Sequence, residues 1–276
     1  MYCEFKLTQA DGNVFFCRKF IPESETKASI VLVHGKGEHS GRYLSFCDFL
    51  MENSFAVYAF DLRGHGLTDG KVGHTAPRDA VLDDIDMLVD TALAENPDKP
   101  VFLYGHSMGG HLALDYRRLK GDRVKAFIIS SPWLWLKKKL PGFATKLVCA
   151  LAKAFPLITI PTGINVEAIS SIKSEQGRYS DDKLMNSVIT AATFRDITLA
   201  TDKIFKNAAE NHKPFLLVHG DDDLLVDVEG SRLLAKSSPC DIIEYVEYAG
   251  NRHEILNDVS SDELKAKIIE YINSKI

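Results

Sequence analysis

Short apolar runs alternate with longer amphipathic segments along most of the chain. Each run holds four or five residues and is apolar at nearly every position, which is typical of strands buried on both faces of a parallel sheet. The segments between the runs repeat their apolar residues at helical spacing; Val81, Ile85 and Leu88, for example, share one face. The pattern predicts strands at 29–33, 56–60, 101–104, 126–129, 215–219 and 242–246, and helices at 43–52, 79–94, 108–119, 229–236 and 262–274.

The first twenty residues follow a different pattern, in which polar and apolar positions alternate. Residues 2–9 and 14–20 are two such runs, joined around Asp11-Gly12-Asn13, and they predict an antiparallel hairpin at the edge of a sheet. Because strands and helices alternate after this hairpin, we expect an α/β fold with a doubly wound, mostly parallel sheet. The active site of such a sheet lies beyond the C-terminal ends of its strands.

The alternation stops between Pro132 and Pro214, where helix-like segments follow one another without a strand-like run long enough to join the sheet. We interpret residues 132–213 as a helical cap inserted into a core made of residues 1–131 and 214–276. The first part of this insertion carries more apolar side chains than its own interior needs. They either pack on the main domain or form an apolar tunnel or a face that rests on a membrane, with lysines at the interface. The apolar residues are Trp133, Trp135, Leu140, Phe143, Leu147, Val148, Leu151, Phe155, Leu157 and Ile158, and the lysines are Lys137, Lys138, Lys139, Lys146 and Lys153.

Composition narrows the class of protein. A chain of 276 residues that is 45% hydrophobic and 26% charged is long enough to bury a large core, and its net charge of −5 gives no basic face for nucleic acid. The N-terminus lacks the features of a secretory signal, and no apolar run is long enough for a membrane-spanning helix. The five cysteines are odd in number and lack metal or disulfide spacing, so we expect reduced thiols in a cytoplasmic protein and no bound metal.

The strongest chemical signal is Gly105-His106-Ser107-Met108-Gly109, between a predicted strand and a predicted helix. Strand, Gly-x-Ser-x-Gly and helix in this order form a nucleophile elbow, in which the serine projects its Oγ from a sharp turn. The N–H groups at the start of the helix then face any oxyanion formed beside Oγ. The alternative is that the glycines only allow close packing, but the flanking strand and helix favour a nucleophilic Ser107.

A serine nucleophile requires a general base and an acid that orients it. Of the nine histidines, His253 lies on a loop just beyond the last predicted strand and follows the candidate acids, as the chain order of this fold requires. The acids follow the strand in PFLLVHG, where Asp221, Asp222 and Asp223 are adjacent. Chemistry alone does not choose among these three aspartates.

Five segments together resemble the monoacylglycerol lipase and lysophospholipase group of α/β hydrolases. The resemblance covers almost the whole chain outside the insertion and implies a triad of Ser107, Asp223 and His253. It also implies an oxyanion hole made by the backbone N–H groups of Lys36 and Met108. The segments are HGKGEHSGRY at 34–43, FDLRGHGLTDG at 60–70, GHSMGG at 105–110, LLVHGDDDLLVD at 216–227 and YAGNRHEIL at 248–256.

The same resemblance implies that Gly35, Glu38 and Arg42 bind substrate, although a structural ion pair is an equal alternative for Glu38 and Arg42. The chain departs from the group at two positions. Lys36 stands where the group usually has a small or apolar residue; we expect its side chain to point to solvent, the alternative being recognition of an anionic substrate. Leu256 replaces a second histidine of the monoacylglycerol lipases, which removes a partner for a glycerol hydroxyl.

The sequence therefore predicts a serine carboxylic-ester hydrolase that acts on a monoacyl lipid, either monoacylglycerol or lysophospholipid, without a cofactor. A short-chain carboxylesterase, a thioesterase and a peptidase of the same fold are alternatives, as is a non-catalytic binding module on a hydrolase scaffold. An epoxide hydrolase or dehalogenase would need a carboxylate where Ser107 stands. The expected location is the cytoplasm, with peripheral membrane contact through the cap; the sequence does not indicate the oligomeric state.

Overall fold

An eight-stranded sheet with helices on both faces forms the centre of the protein, and the computed structural model describes all residues from 1 to 276. Every pairing after the N-terminal hairpin is parallel except that of β2 with β4. The strand order is β1-β2-β4-β3-β5-β6-β9-β10, and the strands are β1 (Tyr2–Thr8), β2 (Val14–Phe20), β3 (Ala28–Val33), β4 (Phe55–Phe60), β5 (Val101–His106), β6 (Ala126–Ser130), β9 (Phe215–Gly220) and β10 (Ile243–Tyr248). The doubly wound, mostly parallel α/β sheet is thus confirmed.

Helices cover the two faces of the sheet because the central strands are apolar on both sides. The strands β3, β4, β5, β6 and β9 are buried at every position. One face packs on α1 and α8, and the other on α2, α3 and α7. These helices are α1 (Leu44–Glu52), α2 (Arg78–Glu95), α3 (Met108–Lys120), α7 (Val228–Ser237) and α8 (Ser261–Asn273), each within two residues of its predicted bounds.

The insertion between β6 and β9 holds three helices and a two-stranded antiparallel sheet that the sequence did not predict. The strands β7 (Thr159–Pro161) and β8 (Val188–Thr190) each span three residues, too short for a period-2 pattern to be detected. We call this pair the ribbon. The helices are α4 (Gly142–Ala154), α5 (Lys173–Asp181) and α6 (Ala191–Lys206), of which α6 packs on both α3 and α4. None of the helices in the protein is long and apolar enough to cross a bilayer.

Candidate active site

Ser107 lies at the sharp turn between β5 and α3. Its backbone has φ +54° and ψ −115°, a strained conformation for a residue with a side chain. The turn is so tight that a Cβ on Gly105 would lie 2.4 Å from the carbonyl oxygen of Gly109, and a Cβ on Gly109 would lie 2.1 Å from that of Val33. Only glycine fits at these two positions, which explains why the motif has glycine on both sides of the serine.

The three residues that the resemblance singled out form a hydrogen-bonded row. His253 Nε2 is 2.9 Å from Ser107 Oγ, and His253 Nδ1 is 2.7 Å from Asp223 Oδ2. Because a carboxylate can only accept, the Nδ1–H group donates to Asp223, and Nε2 of the neutral ring is left to accept the hydroxyl proton of Ser107. This arrangement can withdraw a proton from Ser107 as its oxygen attacks an electrophilic carbon.

Four hydrogen bonds hold the carboxylate of Asp223. Its Oδ1 accepts from the backbone N–H groups of Leu225 and Val226, and its Oδ2 accepts from His219 Nε2 at 3.1 Å as well as from His253. Burial by itself would raise the pKa of Asp223, but the two histidines and these hydrogen bonds hold the pKa well below its usual range. Asp223 is therefore ionised at neutral pH.

A second histidine thus contacts the same oxygen of Asp223 as His253 does. His219 is fully buried at the end of β9, and its Nδ1 lies 2.7 Å from Ser231 Oγ on α7. Since Nε2–H donates to Asp223, Nδ1 accepts from the hydroxyl of Ser231. A continuous row of hydrogen bonds consequently runs from Ser231 through His219, Asp223 and His253 to Ser107.

The loop that carries His253 is held against the ends of two strands. Ser131, directly after β6, donates its hydroxyl to the carbonyl oxygen of His253 at 2.9 Å. A Cβ on Gly220, the last residue of β9, would lie 2.3 Å from the carbonyl oxygen of Asn251 in the same loop. Burial by itself would lower the pKa of His253, but the charge and hydrogen bond of Asp223 outweigh it and raise the pKa.

The backbone N–H groups of Lys36 and Met108, predicted to form the oxyanion hole, have no hydrogen-bond acceptor within the protein. The loop of Lys36 follows β3 and packs beside the elbow, so that a Cβ on Gly35 would lie 3.1 Å from Ser107 Cβ. His34 supports this loop: its Nε2 accepts from the N–H of Leu62, so its Nδ1–H donates to the carbonyl oxygen of Gly35 at 2.7 Å. Burial lowers the pKa of His34 to about 3, so this ring is neutral.

The side chain of Lys36 does not point to solvent, so that expectation was wrong. Only 9% of the residue is exposed, and its Nζ donates to Thr162 Oγ1 at 3.0 Å and to the carbonyl oxygen of Asn186 at 3.1 Å. Both partners lie in the insertion, more than 120 positions away, and the sequence gives no sign that they pack on this loop. Burial lowers the pKa of the Lys36 ammonium to about 8.

Glu38 and Arg42 form a buried charge network beside the loop that carries Lys36. Glu38 Oε1 accepts from the N–H of Gly35 and from the hydroxyl of Tyr43, while Arg42 lies between Glu38, at 3.4 Å, and Glu254, at 2.5 Å. Burial, followed by the nearby charge of Glu254, raises the pKa of Glu38 to about 7. The pairing of Glu38 with Arg42 matches the structural alternative for these two residues, and a role in substrate binding stays a prediction.

Sequence reasoning missed three residues at this site. These are His219, which contacts Asp223; Ser131, which holds the loop of His253; and Glu254, which pairs with Arg42. Only the first had a detectable signal, since a histidine four positions before a candidate acid at a strand end can turn toward that acid. The other two depend on loops that meet only in the folded chain.

Comparisons with known proteins identify the family and the relatives of the chain. Residues 24–260 match the family described as serine aminopeptidase, S33. The chain is 30% identical over 272 residues to an abhydrolase domain-containing protein of Dictyostelium discoideum, a match that covers 98% of this chain but spans only 29% of that much longer relative. It is also 30% identical over 270 residues to the monoglyceride lipase of Rattus norvegicus, covering 97% of this chain and 88% of the relative.

Among solved structures, the crystal structure of Paleococcus ferrophilus monoacylglycerol lipase superimposes with a TM-score of 0.87. The two chains are 30% identical, and the match covers 95% of this chain and 99% of the other. Similarity at this level extends through the insertion as well as the sheet.

Proposed function

Because this chain belongs to the serine aminopeptidase S33 family of α/β hydrolases, we propose that it hydrolyses monoacyl lipids through a triad of Ser107, His253 and Asp223. The chain is a carboxylic ester hydrolase, as its monoglyceride lipase relatives indicate. The observation that carries the finer proposal is the row of hydrogen bonds from Asp223 through His253 to Ser107 on a strained elbow.

In the proposed reaction, Ser107 Oγ attacks the ester carbonyl carbon while His253 Nε2 takes the hydroxyl proton. The N–H groups of Lys36 and Met108 stabilise the oxyanion, and each such donor is typically worth about 3 kcal/mol in the transition state. His253 then gives its proton to the oxygen of the leaving alcohol as the ester C–O bond breaks. Water then attacks the carbonyl carbon of the acyl-serine while His253 takes a proton from the water. His253 returns this proton to Ser107 Oγ as the acyl C–O bond breaks and the fatty acid is released.

The proposal of a lipid substrate is supported by the surface of the insertion, which we propose is a cap (132–213) over a core of residues 1–131 and 214–276. Along α4, Phe143, Leu147 and Leu151 recur every four residues on one side, and Phe143 is 76% exposed. Lys146 and Lys153 lie beside this stripe on the same helix. Leu140, Phe155, Leu157 and Ile158 extend the exposed apolar surface beyond both ends of α4.

A contiguous exposed apolar surface with lysines at its margin fits the interface of a lipid bilayer or aggregate. We therefore propose that α4 rests on membrane lipid, from which a monoacyl substrate enters the cap. The head group is proposed to be glycerol or a phosphate ester of it, with Gly35, Glu38 and Arg42 nearest to it. The odd number and spacing of the cysteines support a cytoplasmic location.

The test of the catalytic proposal is Ser107→Ala, with Ser174→Ala on the exposed face of α5 as the matched control. We expect Ser107→Ala to lose hydrolysis of p-nitrophenyl esters and labelling by a fluorophosphonate, and to keep the circular dichroism spectrum of the parent. The control keeps both activities. Retained turnover in Ser107→Ala would contradict the proposal.

Purified protein assayed against monoacylglycerols, lysophospholipids and acyl thioesters of two to eighteen carbons tests the substrate class. We expect kcat/KM to rise with chain length and to be highest on a monoacyl glycerol or glycerophospholipid. A maximum at two to four carbons would instead indicate a short-chain esterase, and turnover of aminoacyl nitroanilides would indicate a peptidase, the activity in the description of the family.

A further inference from the structure

The residue that is proposed to supply an oxyanion amide also extends its side chain to the insertion. Lys36 is the third residue of the loop after β3, and its ammonium ends between Thr162 and Asn186, which lie next to the ends of β7 and β8. A single residue therefore connects the proposed oxyanion hole to the ribbon.

The acceptors around Lys36 are fixed by their own hydrogen bonds. The N–H and the hydroxyl of Thr162 both donate to the carbonyl oxygen of Ser187, at 2.8 Å and 3.0 Å. Because its hydroxyl proton is engaged there, Thr162 Oγ1 presents a lone pair to the ammonium of Lys36. The insertion thus offers Lys36 a hydroxyl oxygen that is held by Ser187, beside the carbonyl oxygen of Asn186.

The neighbouring glycine makes a second connection to the same residue of the insertion. The N–H of Asn186 donates to the carbonyl oxygen of Gly37 at 2.8 Å. Gly37 has φ +79°, and a Cβ there would lie 2.3 Å from the carbonyl oxygen of Asn186, so the two backbones are in close contact. Asn186 therefore holds the loop from both sides, through the main chain of Gly37 and the side chain of Lys36.

This arrangement is energetically unfavourable for the lysine. No carboxylate lies within ion-pair distance of its ammonium, and the neutral oxygens of Thr162 and Asn186 only partly replace the water that burial removes. A shorter apolar side chain would avoid this burial and would leave the loop tied to the insertion by Gly37 and by His39, whose Nε2 lies 2.8 Å from Asp182 Oδ2. A function that depends on the contacts of the Lys36 ammonium with Thr162 and Asn186 explains why a charged side chain occupies this position.

We propose that Lys36 is a positioning residue. The contacts of its ammonium with Thr162 and Asn186 hold the loop so that the backbone N–H group of Lys36 points at the oxyanion when the ribbon is docked. The inference deepens the proposed function and rests on it. Docking of the cap and completion of the oxyanion hole become one event, so the enzyme is competent only when the insertion covers Ser107.

Without the contacts of the Lys36 ammonium, the backbone N–H group of Lys36 is free to turn away from the oxyanion. A displacement of a catalytic group by about 1 Å can lower the rate of the chemical step about a hundredfold. The amide acts on the transition state rather than on the bound ester. We therefore expect Lys36→Met to lower kcat by about tenfold to a hundredfold while KM changes by less than about threefold. Affinity for a trifluoromethyl ketone, which forms an oxyanion on Ser107, falls by the same factor as kcat.

The experiment uses Lys36→Met, Thr162→Val and the double variant, with p-nitrophenyl butyrate as a substrate too small to need the whole cap. Lys125→Met, an exposed lysine before β6, is the matched control and keeps the parent kcat. Thr162→Ser retains the hydroxyl and regains most of the kcat that Thr162→Val loses. The double variant is no slower than Lys36→Met alone, because both substitutions remove the same contact.

Three outcomes would overturn the inference while leaving the proposed function intact. One is a kcat for Lys36→Met within twofold of the parent, and another is that the losses in Lys36→Met and Thr162→Val multiply in the double variant. The third is a rise in KM confined to anionic lipids such as lysophosphatidate with kcat unchanged, which would make Lys36 an anion-binding residue. Retained activity in Ser107→Ala would instead refute the proposed function itself.

Discussion

Replacement of Lys36 by methionine should change the way in which stability depends on pH. In the folded protein the pKa of Lys36 falls from its usual value of 10.5 to about 8, because burial disfavours the ammonium. Between these values the unfolded chain binds the proton and the folded chain does not, so stability rises with pH in this window. The only other titratable side chain whose pKa responds to Lys36, His65, has a pKa of about 4 and stays neutral throughout.

The magnitude follows from the two pKa values. At about 1.36 kcal/mol per pH unit, the charged lysine destabilises the folded state by about 3 kcal/mol well below pH 8. About 2 kcal/mol of this is removed between pH 7 and pH 10, since the unfolded lysine is still mostly protonated at pH 10. Lys36→Met removes the whole titration and two hydrogen bonds worth about 1 kcal/mol each. The variant should therefore be about 1 kcal/mol more stable than the parent at pH 7, although it is the slower enzyme.

Urea unfolding with linear extrapolation, measured at pH 7, 8, 9 and 10 at constant ionic strength, gives the free energies of unfolding. The free energy of unfolding of the parent relative to that of Lys36→Met should rise by about 2 kcal/mol across this range. For Lys125→Met, whose side chain is exposed in both states, the difference from the parent should stay constant. If the curves of the parent and Lys36→Met run parallel, the ammonium is not buried in solution and the reasoning is refuted.

Four further variants, three at the site and one on α4, test other features of the protein. Asp223→Asn should lower kcat by about 10⁴, because the amide no longer fixes the tautomer of His253, and steady-state kinetics with an unchanged circular dichroism spectrum would check this. The raised pKa of His253 places the acid limb of the pH profile of kcat/KM above pH 6.5. His219→Leu removes a hydrogen-bond donor from Asp223 and so makes the carboxylate a stronger acceptor for His253, which should move that limb to still higher pH. An unmoved limb would show that His219 serves packing alone. Gly37→Ala should lower kcat at least as much as Lys36→Met, because its Cβ would displace Asn186; a turnover equal to that of the parent would contradict this close contact. The double variant Phe143→Asp, Leu147→Asp should co-sediment severalfold less with phosphatidylcholine vesicles than the parent does, while its hydrolysis of p-nitrophenyl butyrate stays unchanged. Leu119→Asp is the control outside the insertion. Equal vesicle binding by the parent, the double variant and the control would refute docking through α4.

The sheet was predictable because burial on both faces leaves a local trace in the sequence. The apolar runs that became β3, β4, β5, β6 and β9 needed no knowledge of their partners. The ribbon escaped detection because its strands are three residues long and its pairing joins segments about thirty positions apart. Its importance for the site comes from where it docks, which no local pattern records.

By itself, the sequence determined the fold class, the elbow at Ser107 and His253 as the candidate base, because hydrophobic period, glycine spacing and chain order are local or sequential properties. The choice of Asp223 came from the resemblance to a family. Only the tertiary structure decided the environment of each side chain: that Lys36 turns inward to Thr162 and Asn186, that His219 contacts Asp223, and that Glu254 pairs with Arg42. The physical reason is that hydrogen bonding and burial depend on atoms brought together from positions up to 212 residues apart, as Arg42 and Glu254 are.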